Sequence, residues 1–307
     1  MNPLYLDTAR LLIQTAPLVF VDDTFALKGG TAINLFLREM PRLSVDLDLV
    51  IRDHTLTRQH ALAKTRTLLQ QASERLTKRG LETSIRGTSE SESKLFVRRG
   101  KLEVKVEVNL VMRGTVHPVR RLSLTRAAQE ALLGDVEVPV VSLEDLYGGK
   151  LVAAMDRQHP RDLFDVAQLF SHEGITEGIR RAFVVYLAGH NRPVHEVLFP
   201  VLRDIRQDYE NNFDGMTEQR APLEDLLAVR ERMILEVQNG LDAKERQFLL
   251  SLVEGTPEWQ LLEIPHLERL PGLRWKLENL RQLRKTNAKK FREQAEVLAA
   301  RFARMKH

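Results

Sequence analysis

The alternation of apolar and polar positions divides the chain into two halves of different character. Residues 4–20 carry Leu4, Leu11, Leu12, Ile13 and Leu18 at mixed helical spacing and predict an opening helix. Phe25-Ala26-Leu27 runs into Lys28-Gly29-Gly30-Thr31, and Ala32 to Arg38 has a helical composition that Pro41 ends. Leu43 to Ile51 alternates with period two and keeps its acids on one side, which predicts a strand. A helix is expected over 57–79, with Gly80 near its C-cap, and short strands over 81–86 and 94–98. The clearest strand is expected over 101–111, where Leu102, Val104, Val106, Val108 and Leu110 are apolar and the odd positions from 101 to 109 are Lys, Glu or Asn.

Beyond Pro139 the period changes. Ser142-Leu143-Glu144-Asp145 resembles a capping box, and the helix it opens is expected to reach about Arg157. His159-Pro160 breaks that helix and Arg161-Asp162-Leu163-Phe164-Asp165 begins the next. From there helical spacing dominates, punctuated by Pro193, Pro200, Pro222, Gly240, Pro257 and Pro265. Apolar residues at 291, 295, 298, 302 and 305 predict one amphipathic helix in the stretch from Leu273 to Met305. An α/β half followed by an all-α half, dividing near residue 140, is the expected organisation.

Composition narrows the chemistry. At 307 residues the chain suggests two domains. The absence of cysteine excludes a disulfide framework, a zinc ribbon, an iron–sulfur site and a thiol nucleophile. No apolar run approaches the ~20 residues of a membrane span, and the N-terminus has no basic segment leading into an apolar stretch. A soluble, cytoplasmic protein with no membrane partner is expected. The nine histidines form no pair at i, i+4, so they are expected to be solvated rather than metal ligands. The net charge of +4 hides an asymmetry: Arg269 to His307 carries 12 Lys/Arg against 3 Asp/Glu, a net +9, which leaves residues 1–268 at −5. Arg284, Lys285, Lys289, Lys290 and Arg292 fit an RNA or DNA backbone, an acidic protein partner, or a solvated helix face.

The candidate chemistry begins with Gly29-Gly30-Thr31 followed by Asp46-Leu47-Asp48. Aspartates at i and i+2 of a strand share a face. Such a pair can hold two Mg²⁺ ions, the clamp that an in-line attack at phosphorus uses. Paired glycines let backbone approach phosphates at a helix N-terminus, and Lys28 adds positive charge beside them. The same acids also describe the polar face of an edge strand in water. Val106-Glu107-Val108 offers a third carboxylate from a neighbouring strand, with Glu103 on the same face. Gly148 and Gly149, inside an expected helix, mark either a kink or close helix packing.

Lys28-Gly29-Gly30-Thr31-Ala32 with Arg42-Leu43-Ser44-Val45-Asp46-Leu47-Asp48-Leu49 resembles the first motif of the AbiEii/AbiGii toxin family of nucleotidyltransferases, within the DNA-polymerase-β-like superfamily. Lys150-Leu151-Val152-Ala153-Ala154 with Arg157, and Arg161-Asp162-Leu163-Phe164-Asp165, are similar to the family's downstream lysine and Arg-Asp-x-x-Asp helix. Phe213-Asp214-Gly215-Met216-Thr217 resembles a further stretch of its helical half. The resemblance implies an α+β fold: a polymerase-β-like nucleotidyltransferase core over 1–140, a mixed sheet with flanking helices, then an all-α domain over 141–307 that completes the cleft and ends in a basic helix. It implies a toxin of a bacterial toxin–antitoxin or abortive-infection system, active in phage defence. The activity would move NMP from an NTP to an acceptor hydroxyl, with the tRNA 3′ end or another RNA as acceptor and a cognate antitoxin as partner. Asp46 and Asp48 would bind Mg²⁺ or Mn²⁺, with Glu107 as third carboxylate. Lys28, Gly29, Gly30, Thr31 and Ser44 would surround the nucleotide, Arg157 and Arg161 would be either further phosphate ligands or ion-pair partners of Asp162 and Asp165, and Lys150 would contact the phosphates. Asp162 and Asp165 share a helix face, and Asp165 is the preferred base or acceptor-positioning group. Modification of a protein hydroxyl, or non-catalytic nucleotide and RNA binding, are the rival functions.

Overall fold

The computed structural model describes residues 3–87, 93–213, 216–217 and 221–305. The chain forms two units, one of Met1–Ser142 with Asp214–Arg220 and the other of Leu143–Phe213 with Ala221–His307. The first contains a seven-stranded mixed sheet and the second is helical.

In the first unit, α1 (Pro3–Val19) leads through a turn to β1 (Phe25–Lys28), which passes directly into α2 (Gly29–Thr31) and a wider π-helical turn over Ala32–Leu37. The widening shows in an Arg38 N–H that reaches back to the Ile33 carbonyl at 2.8 Å, a local unwinding common beside functional sites. Next come β2 (Asp46–Ile51), α3 (Arg58–Lys78), β3 (Glu82–Arg86), β4 (Lys94–Arg99) and β5 (Leu102–Asn109). Then β6 (Arg120–Ser123), α4 (Arg126–Leu132) and β7 (Glu137–Val140) complete the sheet in the order β3-β4-β5-β2-β1-β7-β6. The β2–β5 and β1–β7 pairings are parallel and the rest antiparallel. Val104, Val106 and Val108 of β5 are buried where α1 packs on the strand, so the opposite, odd-numbered face of β5 shares its side of the sheet with Asp46 and Asp48.

The strand expected from Leu43 starts later, at Asp46, because the Leu43 N–H donates to the Met216 carbonyl at 3.1 Å and Arg42 bridges to Thr217. Asp214 and Gly215 of that downstream stretch lie outside the described residues. Neither β6 nor β7 has a long alternating pattern, and Pro139 sits inside β7 opposite Arg121.

The second unit opens with α5 (Leu143–Arg157) and α6 (Pro160–Phe170). The corner between them is built by three residues in succession. Gln158 takes a left-handed conformation at φ 53°, and its buried amide donates to the Val201 carbonyl and accepts from the Arg203 N–H. The His159 ring nitrogen caps α6 by accepting from the Arg161 N–H, and Pro160 supplies the first helical residue. Burial lowers the His159 pKa, which keeps that nitrogen available as an acceptor.

Following these are α7 (Glu177–Ala188), α8 (Val194–Leu198), α9 (Arg206–Asn212), α10 (Leu223–Gly240) and α11 (Ala243–Val253). A complete capping box between Asp242 and Glu245 starts α11. Close helix packing, not a kink, explains Gly148: a Cβ there would lie 2.7 Å from both Ala182 Cβ and the Phe183 nitrogen on α7. Nearby, the buried Tyr186 hydroxyl donates to Asp145 at 2.7 Å, and burial followed by the Asp145 charge pushes its pKa well above 10. The basic C-terminal stretch is two helices rather than one, α12 (Pro271–Thr286) and α13 (Ala288–Arg304). Asn287, at φ −150° and ψ 77°, leaves the helical conformation and caps the second by accepting from the Lys290 N–H. On α13, Phe291, Leu298 and Phe302 are buried as expected, whereas Gln294 takes the inward place expected of residue 295. No helix among the described residues is long and apolar enough to cross a membrane.

The two neighbouring glycines of α5 should respond oppositely to alanine. Gly148→Ala should destabilise by about 1–3 kcal/mol through overpacking against α7. Gly149→Ala meets only the Tyr186 ring at 3.9 Å and should gain up to about 1 kcal/mol of helix propensity. Urea denaturation of both variants measures the contrast.

Candidate active site

The turn from β1 into α2 brings backbone hard against β2. Gly29 has φ +76°, and a Cβ on it would lie 2.5 Å from Asp48 Oδ2. A Cβ on Gly30 would lie 2.7 Å from Arg42 Nη2 and 3.1 Å from Ser44 Oγ. Thr31 is buried and its hydroxyl donates to the Asp46 carbonyl at 2.5 Å, with Ser44 Oγ 3.0 Å away. Asn34 donates to the Gly30 carbonyl at 2.9 Å, which ties the following turn to the same loop. The structure therefore brings together Gly29, Gly30, Thr31, Ser44, Asp46 and Asp48. Helix-opening N–H groups have no carbonyl partner within their own helix and suit an anion.

Register places charge around the two acids. Lys28 pairs with Asp48 across β1–β2, Asp48 with Glu107 across β2–β5, and Asp46 with Lys105. Glu107 is held by two cations, Lys94 Nζ at 2.7 Å and Lys105 Nζ at 2.9 Å. Burial raises its pKa, but the two lysine hydrogen bonds and their charges outweigh burial and leave it lowered. Burial likewise pulls Lys105 down, and the hydrogen bond to Glu107 with the fields of Asp46, Glu107 and Asp48 raises it overall. Among the described residues no three His, Asp or Glu side chains gather as a ready-made metal cage. Asp46 and Asp48 form a two-carboxylate donor set of the hard-oxygen kind that a divalent cation takes. Lys94 and Lys105 were not singled out from sequence, although the alternation over 101–111 put Lys105 on the same charged face as Glu107.

A second cluster lies in the helical unit. Lys150 Nζ, buried on α5, contacts Asp162 Oδ1 at 2.8 Å and Asp165 Oδ2 at 2.9 Å, and both acids are buried. Arg157 adds Nε to Asp162 Oδ2 at 2.5 Å and Nη2 to Oδ1 at 2.9 Å. Burial opposes ionisation of Asp162, yet the charges and hydrogen bonds of Lys150 and Arg157 hold its carboxyl well below the usual carboxylate range. Arg157 is thus an ion-pair partner of Asp162, whereas Arg161 is half-buried and forms no ion pair among the described residues.

Arg284, Lys285, Lys289 and Lys290 are all exposed around the α12–α13 junction. Lys276 is not part of that surface: it is buried, donates to the His190 and Arg192 carbonyls, and burial brings its pKa down to about 8. Several histidines also depart from the expected solvation: His159 caps α6, His190 is half-buried with Nε2 3.7 Å from Asp156, and His195 is half-buried with its pKa lowered by burial.

A Gly-Gly-Thr turn opening a helix over paired acids on a mixed sheet defines a nucleotidyltransferase core. The family model described as nucleotidyl transferase AbiEii toxin, type IV TA system, matches residues 10–279, and the chain belongs to that family of toxins. Among solved structures it is similar to MenT4, a nucleotidyltransferase toxin of Mycobacterium tuberculosis H37Rv, with a TM-score of 0.60 at 18% identity over 91% of this chain and 94% of that one. A comparison with curated protein sequences finds no match.

The Asp162 ion pairs predict acid sensitivity. A depressed carboxylate contributes stability that is present above its unfolded pKa of about 3.9 and lost as pH falls through that region towards the folded value. Asp162→Asn should cost about 3–5 kcal/mol at neutral pH, because Lys150 keeps a buried charge with one partner fewer. Its stability should also fall less steeply than wild type on acidification. Urea unfolding at neutral pH and below pH 4 measures both effects.

Proposed function

We propose that the chain transfers a nucleoside monophosphate from an NTP to an acceptor hydroxyl, with Mg²⁺ held by Asp46 and Asp48 and the 3′ end of tRNA as acceptor. The observation that carries this reading is the pair of carboxylates sharing one face of β2, directly against a glycine turn with no room for a side chain. A divalent ion bound by those acids would supply charge neutralisation for the triphosphate and the departing pyrophosphate.

The chain's own residues do the rest. The N–H groups of Gly30 and Thr31 receive phosphate oxygens, and Lys28 adds a cation at the mouth of the turn. Thr31 fixes Ser44 beside Asp46, where a negative group on Ser44 would compete with the triphosphate. Ion pairs with Asp162 and Asp165 orient Lys150, the residue assigned to nucleotide phosphates. Asp165 is the group assigned to the acceptor hydroxyl, and Arg161 is a further phosphate ligand. As the acceptor oxygen bonds to the α-phosphorus, the bond to pyrophosphate breaks and the hydroxyl proton leaves to a base.

Glu107 serves the site from the neighbouring strand, its carboxylate shared with Lys94 and Lys105. The exposed Arg284, Lys285, Lys289 and Lys290 form a surface for acceptor RNA. In a cytoplasmic setting, transfer to tRNA would arrest translation, and a cognate antitoxin would restrain it as a means of phage defence.

Incubation with total tRNA, Mg²⁺ and each α-labelled NTP tests the reaction. Label should appear on tRNA, and Asp46→Ala should reduce transfer by about 10³-fold, the scale of several kcal/mol of lost charge stabilisation. Label on protein instead of RNA would replace the acceptor class. Neutralising Arg284, Lys285, Lys289 and Lys290 together should weaken tRNA binding and make its salt dependence shallower; unchanged binding would return those residues to a solvated face.

A further inference from the structure

The sheet face that carries the acids continues outward across β5, β4 and β3. Directly paired residues point to the same side of a sheet. Asp46 pairs with Lys105, Lys105 with Phe96 and Phe96 with Ser84. Phe96 therefore stands two strands from Asp46 on the same face, about 10 Å away at the ~4.8 Å spacing of strands. Its position is anomalous in β4. The inward residues Leu95 and Val97 are fully buried and supply that strand's share of the core, while the outward ones are Lys94, Phe96 and Arg98. An aromatic ring among cations on the polar side, only partly buried, has no core to fill.

What surrounds the ring suits a particular ligand. The exposed Arg86 lays its guanidinium over Phe96, 4.4 Å from the ring centroid. Lys94 precedes it by two on the same face and Lys105 lies opposite it on β5, their side chains 39% and 32% exposed. Glu107 sits between the two ammonium groups and holds both in place. A flat π surface with a stacked guanidinium and flanking lysines recognises a nucleobase together with the phosphates beside it, the combination by which open sheet faces hold single strands. The triphosphate's place is at the glycine turn, so this platform suits a strand leading to the acid pair.

We propose that Phe96 is a stacking platform for a base next to the reacting 3′-hydroxyl of a single-stranded nucleic-acid acceptor, with Arg86 extending the stack and Lys94 and Lys105 meeting the adjoining phosphates. This rests on the reading of Asp46 and Asp48 as the nucleotidyltransfer site, and it assigns acceptor positioning to residues outside the motifs of that site.

The test is direct binding of a 5′-fluorescein oligoadenylate with a free 3′-hydroxyl, followed by anisotropy without NTP or metal. Phe96→Leu keeps an apolar side chain but removes the π face, and should weaken binding by between about 5- and 150-fold, the ~1–3 kcal/mol of one stacked base. Phe96→Trp should bind like wild type. With an acceptor that wild type modifies, Phe96→Leu should raise KM for the nucleic acid and leave KM for NTP unchanged. Equal binding by Phe96→Leu and wild type would overturn the proposal, as would a rise in KM confined to NTP or label transfer to protein alone. Failure of the underlying site reading is seen separately, as transfer by wild type that Asp46→Ala does not reduce.

Discussion

The first unit depends on one close approach: Gly29 lies where a side chain would collide with the Asp48 carboxylate. The positive φ at Gly29 costs any other L-residue about 1–2 kcal/mol, and the collision adds to it. Because glycine accepts both, β1 passes into its helix without a loop, directly over β2. Thr31 then reaches the Asp46 backbone and Ser44, and Asn34 fastens the turn from the other side. A loop able to admit phosphate oxygens and a strand able to present acids are thereby the same local structure.

Charge is handled differently in the two units, for a physical reason. Asp46 and Asp48 are half-buried on a sheet face and have lysines opposite them in register, Lys105 and Lys28. Such acids keep solvation and remain able to exchange partners. Asp162 and Asp165 are fully buried, and a buried carboxylate survives only where cations and hydrogen bonds replace water. Lys150 supplies that to both, and Arg157 to Asp162. The same ion pairs that make this cluster costly to break also fix the orientation of Lys150.

Much of this was legible in the residues. The Gly-Gly-Thr turn, the acid pair, the alternation in β5 and the His159-Pro160 break all follow from local chemistry that tertiary context did not override. What was hidden has identifiable causes. Four-residue strands such as β6 and β7 offer too few positions for a period to show, and Pro139 argues against a strand in which it nonetheless sits. The break at Asn287 falls where apolar spacing is sparse, so only the capping hydrogen bond reveals two helices. Lys94 and Lys105 looked like an ordinary solvated face, because their common partner Glu107 is opposite one and beside the other only once β4 and β5 pair.

By itself the sequence determined the class of chemistry: which residues can bind phosphate, which can hold a divalent ion, and that no thiol takes part. Those are properties of side chains and short-range backbone, and spacing along the chain expresses them. Tertiary structure decided which charges meet. Glu107 is claimed by two lysines, Arg157 by Asp162, Lys276 by two backbone carbonyls, and Phe96 is turned to the acidic face of the sheet. These outcomes rest on strand register and helix packing between residues distant in sequence, and Coulomb energies depend on distances in space that a linear pattern does not contain.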